Sequence, residues 1–157
     1  MLQSLRRNGM LLILLRGFAP QYFYIIMKKI LFVCIENSNR SQMAEAFARM
    51  LPDVLAFSAG SHPSGKVNPR AIEAMAELGY DLTKHKSKSL QSVKSQAPFD
   101  IIVTMGCGDA CPWMPAQCFI DWQIPDPRDM DEVGFRKVRD LIGEKVKMLV
   151  REFSSLH

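Results

Sequence analysis

Long apolar runs are missing from this 157-residue sequence. The nearest approach, Met10 to Leu15, is bracketed by Arg6, Arg7 and Arg16, and at about six residues it is shorter than a signal-peptide core and far shorter than a bilayer span. No small-residue cleavage motif follows it. Neither export nor membrane insertion is expected, and a cytoplasmic location is. A strongly basic face is missing as well. The net charge is +4, but those three arginines lie in a stretch of 26 residues that holds no acid, and the remainder of the chain is close to balanced. The one local excess, Lys84, Lys86 and Lys88, is too small to track a phosphate backbone, so nucleic acid is not an expected partner. Cysteine is scarce, with four residues, all after Met27. Without a secretory context these read as functional thiols rather than a disulfide framework.

What is present is the composition of an ordinary globular domain, 48% hydrophobic and 23% charged, without repeats or low-complexity tracts. Residues 1–26 read as an N-terminal tail outside the core, with no strand, and 27–157 as the foldable unit. Ile30 to Val33 is a continuous apolar run suited to a strand buried on both faces. From Ser41 the period becomes helical, through Met43, Ala44, Phe47, Ala48 and Leu51. Val54 to Ser58 predicts a second strand. Asn68-Pro69 opens a helix that Gly79 closes. Residues 80–97 are irregular with one short helix, Phe99 to Met105 and Gln117 to Trp122 are strands, and Phe135 to Phe153 carries the stripe of a long closing helix. Alternating strands and helices imply a parallel sheet, with ligands bound at the carboxyl ends of its strands.

Cys34-Ile35-Glu36-Asn37-Ser38-Asn39-Arg40-Ser41 puts a thiol at the end of the first of these strands and an arginine at the start of a helix. Such a loop can turn its backbone N–H groups onto one point, where the helix dipole and the guanidinium add to the field. This is a cradle for a tetrahedral oxyanion. The same field favours a thiolate, and the Ser41 hydroxyl can donate to the sulfur, so Cys34 is the candidate nucleophile. Asn37 is suited to a left-handed backbone within the loop. The spacing alone is a weak signal, and the strand before it and helix after it make it a strong one.

These residues, with Arg40-Ser41-Gln42-Met43-Ala44-Glu45, Ser58-Ala59-Gly60, Asn68-Pro69, Val103-Thr104-Met105, Cys111-Pro112 and Asp126-Pro127, resemble the low-molecular-weight protein tyrosine phosphatase superfamily, and within it the arsenate reductases. The resemblance runs from about Lys28 to Phe153. It implies a flavodoxin-like three-layer α/β sandwich with a four-stranded parallel sheet, Cys34 as nucleophile, Arg40 as oxyanion clamp and Asp126 as general acid. Two positions depart from the usual pattern: Glu36 replaces a glycine, and Asn39 stands where many relatives have a second loop cysteine. Asn37, Glu45 and Ser58 match potassium-site positions of some relatives, but Lys88 stands where a carboxylate would complete that site. No metal and no cofactor are therefore expected. His62 and His85 read as packing or loop hydrogen-bonding residues.

A phosphatase, a reductase and a phosphoryl carrier can all be built on this loop. Arg128-Asp129 follows Asp126-Pro127 where the phosphatases have ring-walling tyrosines, and a carrier needs neither Asp126 nor Arg40. Cys107 and Cys111 favour reduction. On a helical turn their Cα atoms would lie about 6 Å apart, within disulfide range, and Gly106 and Gly108 let the segment rearrange. Zinc is the rival reading, but Cys107, Cys111 and Cys118 form no two Cys-x2-Cys pairs and lack a nearby histidine. Cys118 reads as a small core residue. The expected activity is reduction of arsenate to arsenite by Cys34, Arg40, Ser41, Cys107, Cys111 and Asp126, with thioredoxin or a glutaredoxin as reductant, in a monomer. The alternative is a tyrosine phosphatase working through a phosphocysteine.

Overall fold

The computed structural model describes the backbone of residues 3–7, 10–14, 24–106 and 114–154, and the side chains of 27–106 and 114–154. The apolar run after Met27 forms strand β4 (Lys28–Cys34) at the centre of a four-stranded sheet, beside β5 (Val54–Gly60) and β6 (Phe99–Thr104), with β7 (Ala116–Asp121) at the edge. All three pairings are parallel, in the order β5-β4-β6-β7. The fold is thus the expected flavodoxin-like one.

Ile30 to Val33 are all within 1% of complete burial because the pleat sends alternate residues to two apolar layers. Ile30 and Phe32 join a large core with Met43 and Phe47 of α1 (Arg40–Arg49), Ala71 and Met75 of α2 (Pro69–Ala76), and Phe135, Ile142 and Val146 of α4 (Glu132–Ser154). Leu31 and Val33 join a smaller layer with Leu90 and Val93 of the short helix α3 (Leu90–Val93), Phe99 and Ile102. As the sequence predicts, Asn68 caps α2, its Oδ1 accepting the Arg70 N–H at 3.0 Å. Gly79, with φ +81°, turns the chain just beyond the helix end.

Two features differ from expectation. The first 26 residues do contain strands: β1 (Gln3–Arg7), β2 (Met10–Leu14) and β3 (Tyr24–Ile26) form an antiparallel sheet of their own, with Ser4 opposite Ile13 and Leu11 opposite Ile25. Pairing supplies the reason, since Met10–Leu14 takes Gln3–Arg7 on one side and Tyr24–Ile26 on the other, and these short runs carry little period-2 signal. Cys118, expected in the core, is only half-buried against it, because its strand is the sheet edge and alternates between half-buried and exposed. Among the described residues, no helix is long and apolar enough to cross a membrane.

Candidate active site

β4 delivers Cys34 to the carboxyl edge of the sheet, 3% exposed and paired with Gly60 of β5. The loop that follows is tied from outside. The carbonyls of Cys34, Ile35, Glu36 and Ser38 accept the N–H groups of Ser61, His62, Ser64 and Asn68 at 2.8–3.2 Å. A trans peptide points its N–H away from its C=O, so anchoring these carbonyls outward turns the amides that follow them toward the inside of the loop. Asn37 adopts φ +48°, the left-handed conformation anticipated for it. Gly60 is required by close approach: a Cβ there would lie 2.6 Å from the Ile35 carbonyl oxygen and 2.9 Å from the Asn37 nitrogen.

Donor chemistry positions the hydroxyl beside the sulfur. Asn37 Nδ2 can only donate, and it reaches Ser41 Oγ at 2.7 Å and Ser58 Oγ at 2.9 Å. Accepting from Asn37 leaves the Ser41 hydroxyl free to donate, and against a Cys34 thiolate, which carries no hydrogen, Ser41 is the donor in the 3.0 Å contact to Sγ. A thiolate is the form of the sulfur that accepts this bond best. Arg40, the first residue of α1, is 6% exposed. Its Nη1 donates to the Ile124 carbonyl at 3.1 Å and its Nη2 to Asp126 Oδ2 at 3.2 Å. The concavity above the thiol is lined by Cys34, Glu36, Ser38, Asn39, Arg40, Asp126 and Arg128. Of the residues singled out from sequence, Cys34 to Ser41 and Asp126 are thus brought together, while Cys107 and Cys111 lie outside the described residues.

Sequence reasoning missed the support behind this loop. Gln42 Nε2 donates to Asn37 Oδ1 at 2.9 Å and to the Lys86 carbonyl at 2.9 Å. With its nitrogen so occupied, Gln42 Oε1 accepts from His85 Nδ1 at 3.0 Å, and His85 Nε2 accepts the Tyr80 hydroxyl at 2.9 Å. A neutral ring with its hydrogen on Nδ1 satisfies both contacts. Burial holds His85 below its ordinary value of 6.5, although the nearby Glu45 carboxylate acts the other way. Burial also pushes the Tyr80 hydroxyl up. The links from Gln42 to His85 and to the Lys86 carbonyl are not legible locally, since they span 43 and 44 positions. His62, by contrast, is exposed, and its ring Nδ1 lies 3.3 Å from the neighbouring Ser61 hydroxyl.

Glu45, 1% exposed, is the buried acid beneath the loop. Ser58 Oγ donates to it, Arg49 pairs with it at 2.6 Å, and the Lys88 ammonium lies 3.4 Å from both Glu45 Oε2 and Ser58 Oγ. A side-chain cation of the chain itself therefore faces two of the positions that match the potassium ligands of some relatives. The described residues contain no group of three metal-ligating side chains.

A thiol at a parallel-strand end, within an arginine-closed loop opening onto a helix, defines a class of α/β proteins built to hold a tetrahedral oxyanion over a cysteine. The chain belongs to the low molecular weight phosphotyrosine protein phosphatase family, whose model matches residues 29–156. It is 36% identical over 132 residues to the glutaredoxin arsenate reductase of Synechocystis sp., covering 82% of this chain and all of that one. It is 40% identical over 126 residues to arsenate reductase 2 of Staphylococcus saprophyticus, covering 76% of this chain and 94% of that one. Among solved structures it is similar to an arsenate reductase in the phosphate binding state, with a TM-score of 0.73, 37% identity, and coverage of 80% of this chain and 98% of that one.

Proposed function

We propose that this protein reduces arsenate to arsenite. The observation that carries the reading is the Asn37–Ser41–Cys34 arrangement, which holds a hydroxyl 3.0 Å from the sulfur on the floor of an arginine-closed oxyanion loop, in a chain 36–40% identical to arsenate reductases. The Cys34 thiolate attacks arsenic, an As–O bond breaks, and Asp126 passes a proton to the departing oxygen, which leaves as water. The Cys107 thiolate then attacks the Cys34 sulfur. The S–As electron pair stays on arsenic, so arsenic(V) becomes arsenite as a Cys34–Cys107 disulfide forms. Cys111 attacks Cys107, freeing Cys34 and leaving a Cys107–Cys111 disulfide for an external dithiol, thioredoxin or a glutaredoxin, to reduce. All named groups come from one chain, and the enzyme acts as a monomer.

The family supports hydrolysis as the second reading, in which water would release phosphate from a Cys34 phosphocysteine. The test is to supply arsenate with a thioredoxin or glutaredoxin system and, separately, an aryl phosphate. Arsenate-dependent consumption of reductant with weak aryl phosphate turnover is expected. The opposite ranking would replace the reductase reading by the phosphatase one. Because Lys88 and Arg49 already face Glu45, potassium is expected to leave turnover unchanged, and a large rise on adding it would contradict this.

A further inference from the structure

Glu36 and Arg128 have no part in the chemistry above, yet both line the concavity over Cys34. They are joined across its mouth. Arg128 Nη2 lies 3.1 Å from Glu36 Oε1 and 3.4 Å from Asp126 Oδ2, the same oxygen that Arg40 Nη2 reaches at 3.2 Å. The backbone beneath Arg128 is also held: its N–H donates to Asp126 Oδ1 at 3.1 Å, and Arg70 of α2 donates to the carbonyls of Arg128 and Met130 at 3.1 and 2.7 Å. An in-line attack by Cys34 sends the leaving oxygen away from the sulfur, outward toward the acid. In arsenate or phosphate that oxygen carries at most a hydrogen. In an ester it carries the whole substituent, which must leave the cradle past Asp126, where the Arg128 guanidinium lies.

We propose that the Glu36–Arg128 bridge is a specificity bar, which leaves the site open to free tetrahedral oxyanions and obstructs phosphate monoesters with bulky groups. The inference rests on the oxyanion-site reading and deepens it. Its members are partly exposed, at 34% and 49% of their side chains, so the bar acts by occupying the exit rather than by the strength of its ion pair, which solvent screens.

The two partners carry opposite charge, and this makes the test selective. If they acted on an anionic substrate through charge, Glu36→Ala would raise and Arg128→Ala would lower its use. If they act as a bar, either truncation opens the exit. The experiment measures kcat/KM for para-nitrophenyl phosphate, without reductant, in the unsubstituted protein and both variants, together with inhibition by inorganic phosphate. Both variants are expected to gain about tenfold on the ester while still being inhibited by phosphate. A gain in Glu36→Ala with a loss in Arg128→Ala, no gain beyond twofold in either, or loss of phosphate inhibition in both would overturn the proposal. Failure of the unsubstituted protein to consume reductant with arsenate would instead strike the reductase reading, leaving the ester comparison to decide on the bar.

Discussion

At the residue scale, the thiols and the histidine behind the loop give the sharpest outcomes. If Cys107 attacks Cys34 and Cys111 resolves the product, Cys111→Ser should release about one arsenite per enzyme and stop as a Cys34–Cys107 disulfide identifiable by peptide mapping. Multiple turnover by that variant would point to an external thiol instead. His85 predicts a pH effect whose sign follows from its burial. The folded ring binds a proton less readily than the unfolded chain, so unfolding takes up a proton between the lowered folded value and about 6.5. Its contribution is complete above that pH and declines as pH falls below it. The drop in Tm from pH 7.5 to 5.5 should be smaller in His85→Gln, and equal drops would show that the ring titrates alike in both states. Local chemistry made part of this site legible: the left-handed Asn37, the serine beside the thiol and the arginine at the helix start all follow from residue type and spacing. The pairing of Gln42 with His85, of Arg40 with the Ile124 carbonyl and of Glu36 with Arg128 was not, because tertiary folding sets these contacts across 43, 84 and 92 positions.

Elements were read best where one signal dominated. The buried run at β4, the Asn68 cap of α2 and the long stripe of α4 each came within a few residues of their observed bounds, since burial on both faces, capping and helical period act locally. The N-terminal strands escaped because pairing rather than pattern defines them. Helix packing supplies a prediction of its own. A Cβ at Gly143 of α4 would lie 2.8 Å from Phe47 Cζ and 2.9 Å from Cε1, so the two helices meet through a ring laid on bare backbone. Alanine gains about 1 kcal/mol in helix propensity, whereas overpacking a core costs about 1–3 kcal/mol, and contacts under 3.0 Å place this site toward the upper end. Gly143→Ala should therefore lower stability by about 1–2 kcal/mol, read as a fall in Tm. An unchanged or raised Tm would show that the Phe47 ring yields freely.

For the whole molecule, the family match begins at residue 29 and every group assigned a role follows it. Among the described residues, the antiparallel strands before Met27 and the parallel strands after it form two separate sheets. We expect a protein lacking residues 1–26 to fold and to reduce arsenate at a rate within about twofold of the full chain. Loss of soluble protein on that truncation would show that the segment covers part of the core.

The link from Arg40 to Ile124 and Asp126 also orders events during biosynthesis. At about 5–20 residues per second, a ribosome that has just added Cys34 needs roughly 5–20 seconds more to reach Asp126. For nearly all of that interval the nascent polypeptide carries Cys34 and Arg40 without the Ile124 carbonyl and the Asp126 carboxylate that later hold the guanidinium in place.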